Sequence, residues 1–526
     1  MGIPSYFKYV VQKHRNILKK YTSSLQIDNF YMDCNSVIYD CVRELPKNCS
    51  NIESELIKRT CVKIEEYILM ISPRKRVFIA FDGVAPIAKL EQQRNRRFKT
   101  QFEKDVMNNL GVELKDIGWS TASITPGTKF MEKLAAGTKK YFQANRFNNL
   151  NILVSASDEA GEGEHKIYQF IRDNDHHKSE STAIYGLDAD LIMLTLNHLR
   201  YAEKIYLFRE TPQFIRSFDK SLDPNTTYVM DMPLMASCLT NELNDGDDIK
   251  NESQKQRMFD YIFICFLLGN DFMPHFPALN IRTDGIDRIM SAYKQTISES
   301  GNLTTKDKII WRSVRTFIKI LADKEHEYIE REHGIREKQS KSVRYRSRME
   351  NETKEQQSFT NIPLLERKKE EYINPYEKGW QDRYYKVLFD GDMCEVQKKK
   401  LCLNYLQGLE WTFKYYTSGC IDWEWHYQYE YPPLLQDLVN YVPYFDVDLI
   451  DKKDSNPLPP LVQLSYVLPC TMENLLPEKV RYSLRENFPQ WYSTDYDFEW
   501  SYCKYFWECH AKLPKIDISR LKTVVC

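Results

Sequence analysis

Seven carboxylates occupy five short stations, each where an apolar run meets a loop. They are Asp33 at the end of NFYMD, Asp82 in VFIAFDG, Glu162 and Glu164 in EAGEGEH, Asp188 and Asp190 in YGLDADL, and Asp271 in FLLGND. Three stations follow or flank β-type runs, so parallel strands would gather the acids in the crevice at their carboxyl ends. Carboxylates packed that closely raise one another's protonation and do not all stay ionised unaided. Hard divalent cations resolve the conflict. Oxygen-only ligation suits Mg²⁺ or Mn²⁺, and two such ions about 3.5–4 Å apart serve in-line phosphodiester hydrolysis. A single Asp at a strand end is ordinarily a cap or turn residue, so the joint pattern carries the inference.

Directly after FDGVAP comes IAKLEQQRNRRFK. Lys89, Gln93, Arg96 and Arg97 recur at i, i+4, i+7 and i+8, which places them on one helical face as an anion pocket. Guanidinium groups grip phosphate oxygens bidentately, and lysine adds a point charge. The bland alternative for such a run is a solvated basic face.

With these residues stand longer phrases: MGIPSYF at the start, FDGVAP at 81–86, ITPGT at 124–128, GEGEHK at 161–166, YGLDADLIML at 185–194 and LLGNDFMPH at 267–275. In this order they resemble the Xrn family of 5′→3′ exoribonucleases, and the likeness runs on to QLSYVLP near residue 469. The resemblance implies that Asp33, Asp82, Glu162, Glu164, Asp188, Asp190 and Asp271 are the catalytic acids and hold two Mg²⁺ or Mn²⁺ ions. It implies that Lys89, Gln93, Arg96 and Arg97 bind the 5′-phosphate of single-stranded RNA. The substrate would be RNA with a 5′-monophosphate, degraded processively to nucleoside 5′-monophosphates. In the family a histidine stacks on the terminal base, opposite a tryptophan from the second region. Tyr39 stands at the histidine position here, and the tryptophan is Trp423 or Trp425 of IDWEWHY. Further departures are Ser36 for a usual glycine, Ala122 before ITPGT, and Ala160 for a usual proline. Asn35 supports Asp33 or simply makes a turn, and His165 and His275 read as supporting or packing groups. Rival readings are a flap-type, structure-specific endonuclease and a catalytically silent RNA-binding scaffold.

Composition bounds the rest. A chain of 526 residues with 42% hydrophobic and 13% aromatic content supports large cores. No apolar stretch has the length of a membrane span, and the N-terminus lacks the pattern of a signal peptide. Thirteen cysteines are an odd number without framework spacing, which predicts free thiols in a reducing compartment. The cytoplasm is the expected location, because the basic clusters RYRSR and ERKK are too weak to argue nuclear import, and a monomer is expected. Neither Cys34 with Cys41 nor Cys503 with Cys509 and His510 has the spacing of a structural zinc site. A net charge of −1 decides nothing about partners, because acids at the metals and bases along a substrate path cancel in the sum.

Strand candidates fall at 29–33, 76–81, 151–156, 182–186, 204–208 and 227–232, with helical patterns between several of them. The expected fold class is α/β: a mostly parallel twisted sheet flanked by helices, a PIN/flap-nuclease-like catalytic core. A helical, aromatic-rich second region packs against it. The expected divisions are a catalytic region over 1–300, a helical and charged linker over 301–371, a second region over 372–500 that walls the active site, and a tail over 501–526. Within the linker, 337–365 reads as mobile, with a long solvated helix as the alternative.

Overall fold

The structure is a computed structural model that describes residues 6–22, 24–46, 49–112, 118–143, 147, 149–186, 190–209, 222–223, 226–246, 251–345, 353–453 and 455–526. Seven strands form one sheet: β1 (Leu18–Lys20), β2 (Asn29–Asp33), β3 (Arg76–Ala80), β4 (Asn151–Ser155), β5 (Ser181–Tyr185), β6 (Lys204–Arg209) and β7 (Tyr228–Asp231). Their spatial order is β1-β7-β6-β5-β2-β3-β4. The five strands from β4 to β6 are parallel, while β7 and β1 close one edge antiparallel. The chain passes from β2 outward to β3 and β4, then crosses back to β5 on the other side of β2. The sheet's topological switch point therefore lies between β2 and β5, where ligands bind in open α/β folds.

Both faces of the sheet are covered, which is why its strands read as continuous apolar runs rather than alternating ones. On one face Tyr31, Ile184 and Ile205 enter a large core shared with Ile264, Leu406 and Trp411 from later in the chain. On the other, Phe30, Met32, Val77 and Ile79 pack against α2 (Asn35–Arg43), α3 (Ile52–Ile71) and α5 (Lys129–Gln143), with α1 (Tyr6–Lys13) lying on the first face. The site itself is built by α4 (Ile87–Asn109), α6 (Gly163–Arg172) and α7 (Asp190–His198). From the far region, the helix Glu395–Thr417 reaches back onto α7.

Residues 337–345, read from sequence as the start of a mobile linker, instead continue the helix Glu325–Tyr345. The reason is a buried ion pair with no local signature. Arg336 and Glu370 are each 1% exposed. Arg336 Nε and Nη2 donate to the Glu370 carboxylate at 2.8 and 2.6 Å, and Arg367 Nε adds a bond of 2.7 Å. The two short helices Lys354–Thr360 and Ile362–Leu365 follow. The C-terminal residues are also integrated. Phe498–Glu499 pairs with His510–Ala511, and Leu521 is fully buried in a core with Val84 and Ile87 at the start of α4.

Two buried histidines make the fold acid-sensitive. His177 Nε2 bonds the Tyr31 hydroxyl at 2.8 Å, and His198 Nδ1 lies 2.7 Å from the Leu194 carbonyl. Burial pulls His177 down to about 4, and burial with the neighbouring Arg172 pulls His198 down to about 3. Both folded values lie below the unfolded one. Their stabilisation is thus complete above about pH 6.5 and is lost as pH falls towards the folded values, by about 2 kcal/mol each at pH 5. Thermal melts from pH 7 to pH 5 should show this loss, and His198→Gln should flatten it. A variant with the wild-type slope would remove His198 from the account.

Candidate active site

The acids stand where the strand order reverses. Asp33 ends β2 after four fully buried residues, and Asp82 lies two residues beyond β3. Glu162 is the residue before α6, Glu164 lies in its first turn, and Asp190 is the first residue of α7 after β5. Asp271 follows the turn Phe266–Leu268. Asp188 falls outside the described residues.

Close backbone approach fixes the second and third stations. The FDGVA and EAGEG segments are joined by bonds from Gly83 N to Gly161 O (2.9 Å) and from Gly161 N to Val84 O (2.7 Å). A Cβ on Gly83 would fall 1.7 Å from the Glu159 carbonyl oxygen, so only glycine allows the contact. Gly163 N, at the start of α6, then donates to Asp82 Oδ1 at 2.7 Å, where the helix dipole favours a carboxylate. A Cβ on Gly163 would meet Asp33 Oδ1 at 2.6 Å. Asn35 clamps Asp82 from both sides: its Nδ2 donates to Oδ2 at 2.5 Å, and its Oδ1 accepts from the Asp82 amide at 3.1 Å. The amide of Asn35 itself stands 3.5 Å from Asp33 Oδ1.

The remaining acids are buried, with Glu162, Glu164, Asp190 and Asp271 between 4% and 8% exposed. Lys89 holds two of them. Its Nζ lies 2.6 Å from Glu162 Oε2 and 2.6 Å from Asp271 Oδ2. Gln92 Nε2 donates to the other Asp271 oxygen at 3.2 Å, and the Tyr415 hydroxyl donates to Glu162 Oε1 at 2.9 Å. Burial raises the Glu162 carboxyl, and Asp82 and Asp271 add to the rise against the pull of Lys89. For Asp271 burial acts upward too, but neighbouring cations, Lys89 first among them, bring the carboxyl well below its ordinary value. Burial opposes the charge on Lys89, yet Asp271, Glu162 and Glu164 raise it well above its ordinary value. The convergence shows again at Tyr416, whose phenol is raised by burial and then by Asp190, Glu164, Asp271 and Glu162. On the strand side, burial lowers Lys166 to about 8 while Asp82, Glu159, Asp158 and Asp33 oppose the fall. The Lys166 ammonium donates to the Phe81 and Ala156 carbonyls at 2.9 and 2.8 Å.

As a metal centre the donor set is chemically apt, being hard carboxylate oxygen throughout. Two ammonium groups, Lys89 and Lys166, lie among these acids. Among the described residues no three His, Cys, Asp or Glu side chains already stand as a formed metal-binding group. All thirteen cysteines, Cys503 and Cys509 included, are free thiols.

The residues expected to grip phosphate do not share one environment. Lys89 points into the acids. Arg97 Nη2 donates to Thr125 Oγ1 of ITPGT at 2.6 Å, beside the Tyr39 phenol, and burial lowers its guanidinium to about 10. Arg96 is exposed and Gln93 half-buried. Trp425 stacks on Trp411 at 5.3 Å, and the series continues through Tyr415 (4.8 Å) to His165 (3.8 Å), so its ring belongs to the wall of the acid cluster. Trp423 is half-buried at the N-terminus of α4, its carbonyl accepting from Ile87 N at 2.9 Å, and it has no ring partner among the described residues.

Residues 1–211 match the family described as the XRN 5′-3′ exonuclease N-terminus, and residues 253–374 and 364–525 match the Xrn1 helical domain. The chain belongs to the Xrn 5′-3′ exonuclease family. Curated relatives align over almost all of it. A 5′-3′ exoribonuclease 2 of Gallus gallus is 26% identical, covering 100% of this chain and 70% of the relative. The Drosophila melanogaster homologue of that enzyme is 27% identical over 99% and 70%. A 5′-3′ exoribonuclease 1 of Saccharomyces cerevisiae is 27% identical over 99% of this chain and 43% of the relative. Among solved structures, the catalytic core of Rad2 in complex with DNA substrate covers 66% of this chain and 83% of that chain. Its TM-score is 0.32 at 13% identity, too loose a superposition to carry an argument.

Sequence reasoning about this Xrn chain did not single out Gln92, Lys166, Tyr415 or Tyr416. A glutamine beside Gln93 and a tyrosine pair in an aromatic helix carry no local mark of their contacts with acids distant in the chain. Because Lys89 neutralises Glu162 and Asp271 in a buried setting, Lys89→Met should destabilise the protein in chelator by about 3–5 kcal/mol. Excess Mg²⁺ should restore part of the loss. Equal denaturation midpoints for variant and wild type in chelator would show that the pairing carries no such weight.

Proposed function

We infer that the chain is a 5′→3′ exoribonuclease that removes nucleoside 5′-monophosphates one after another from single-stranded RNA bearing a 5′-monophosphate. One observation carries the reading: α4 joins the acid cluster to the basic face. Lys89 contacts Glu162 and Asp271, and Arg96 and Arg97 follow on the same helix at a rise of about 1.5 Å per residue. A strand gripped by its terminal phosphate on this helix presents its first linkage to the acids.

Asp33, Asp82, Glu162, Glu164, Asp188, Asp190 and Asp271 would hold two Mg²⁺ or Mn²⁺ ions, which when bound supply charge stabilisation at the reacting phosphate and an acidified water. The chain's own residues do the positioning. Asn35 and the Gly163 amide fix both oxygens of Asp82, and Tyr415 fixes Glu162. Arg97, braced by Thr125, grips the terminal phosphate together with Arg96 and Gln93, while Lys89 stays with Glu162 and Asp271 at the inner end of the same face. Burial of Arg97 favours an end that supplies a compact dianion, and a 5′-hydroxyl leaves that cation unmatched. Tyr39, beside Arg97, and Trp423, at the start of the same helix, stack the first base, worth about 1–3 kcal/mol. Each cut regenerates a 5′-monophosphate, which lets the strand advance without release. The thirteen free thiols suit a reducing cytoplasm.

The test is product analysis on one RNA prepared with a 5′-monophosphate, a 5′-hydroxyl or a 5′-triphosphate, with Mg²⁺ and with chelator. Mononucleotides should appear only from the monophosphorylated RNA and only with metal. Internal cuts indifferent to the 5′ group would favour a flap-type endonuclease, and binding without cleavage a scaffold. Asp82→Asn should lower the rate by about 10²–10³-fold, as removal of a preorganised charge does. Trp423→Ala should weaken RNA binding by about 1–3 kcal/mol while Trp425→Ala acts through stability, measured by filter binding beside thermal melts.

A further inference from the structure

Behind the acid cluster lies a chamber of about 580 Å³, within the size range of small-ligand sites. Its walls are the face of α4 that carries Gln92, Asn95 and Lys99, the turn containing Asp271, the loop 426–431 and the C-terminal segment 501–518. Gln92 stands at the boundary with the acids, where it donates to Asp271 Oδ1 at 3.2 Å.

The C-terminal wall is fastened in place. Lys99 Nζ donates to the Trp507 and Cys509 carbonyls, each at 2.7 Å, and the Ala511 amide donates to Asn95 Oδ1 at 2.9 Å. Arg282 pairs with Glu508 and lies 5.7 Å from the centre of the Trp507 ring, which is 39% exposed. Lys99 and Arg282 are thereby occupied. Lys515 also lines the chamber, is exposed, and has no acidic partner among the described residues, and Arg96 of the phosphate-gripping face reaches the same chamber.

Charge and shape narrow the occupant. Lys515, with Arg96 shared between the chamber and the phosphate-gripping face, matches one phosphate group. Burial keeps His275 down at about 4 and His510 at about 3, so both imidazoles are neutral near pH 7 and add no charge. Glu91, Asp271 and Glu508 in the same walls oppose a polyanionic strand, while burial raises the Glu430 carboxyl to about 7. Trp507, stacked on Tyr505 at 5.9 Å and still partly exposed, offers aromatic surface for a base. We propose that the chamber is a second nucleotide site, which takes the nucleoside 5′-monophosphate left at Tyr39 and Arg97 by each cut and lets it leave past Asp271 while the shortened strand advances its new 5′-phosphate to Arg97. The proposal rests on the exoribonuclease reading.

Equilibrium dialysis of radiolabelled AMP against the whole chain, without divalent metal, tests it. Two equivalents should bind. Arg97→Ala should remove one, while Trp507→Ala and Lys515→Glu should each weaken the other at least tenfold. In RNA degradation assays, added AMP should inhibit wild type more than Trp507→Ala. A single equivalent, lost with Arg97→Ala and indifferent to Trp507→Ala, would overturn the chamber while mononucleotide release still upheld the exoribonuclease. Displacement of the rear equivalent by inorganic phosphate as readily as by AMP would also overturn it, since the base would then contribute nothing. If the exoribonuclease reading failed instead, no mononucleotides would be released from RNA whatever the dialysis showed.

Discussion

The Lys89 ammonium, 2.6 Å from both Glu162 and Asp271, is the contact on which the rest of the site turns. Carboxylates buried together in a low-dielectric cleft repel, and without a cation among them some would take up protons. Lys89 supplies that cation from α4, the helix whose following turns carry Arg96 and Arg97. The compensation of the acids and the placement of the basic face are therefore one structural fact. Any tilt of α4 would both uncover the acids and move the guanidinium groups.

Two parts of the chain far apart in sequence hold α4 and the acids in register. The parallel sheet brings Asp33, Asp82 and the start of α7 to one edge through the crossover between β4 and β5. The helix Glu395–Thr417 closes the other side with Tyr415 and Tyr416 and with the stack of Trp425, Trp411, Tyr415 and His165. These large aromatic groups exclude water from one side of Glu162 while giving its carboxylate a hydroxyl donor. The buried Tyr415 hydroxyl costs little in such a wall because it is bonded to Glu162.

Much of this was legible beforehand, and the reasons are local. A strand buried on both faces must be apolar throughout, so FYM, VFIA and TAIY announced themselves. The charged ends of those runs announced the acids. The helical spacing of Lys89, Gln93, Arg96 and Arg97 was legible as well, but not the division of their roles, because Lys89 turns towards Glu162, 73 residues away, and Arg97 towards Thr125. The strand Leu18–Lys20 was not foreseen, since a three-residue edge strand with two lysines has no apolar alternation to show. Nor was the order of Glu325–Tyr345, where composition argued for a solvated segment and the buried Arg336–Glu370 pair overrode it.

The sequence by itself determined which chemical groups are present, which segments become strands, and which carboxylates end them, because backbone preference and alternation are written within a few residues. Only the tertiary structure decided how the groups are paired. It placed Lys89 among the acids, made Asn35 a clamp for Asp82, assigned Trp425 to the wall and left Trp423 beside the start of α4, and enclosed a chamber with the last residues of the chain. Those outcomes depend on distances between side chains tens to hundreds of residues apart, and the electrostatic and packing energies that select them exist only once the sheet and its covering helices have brought the pieces together.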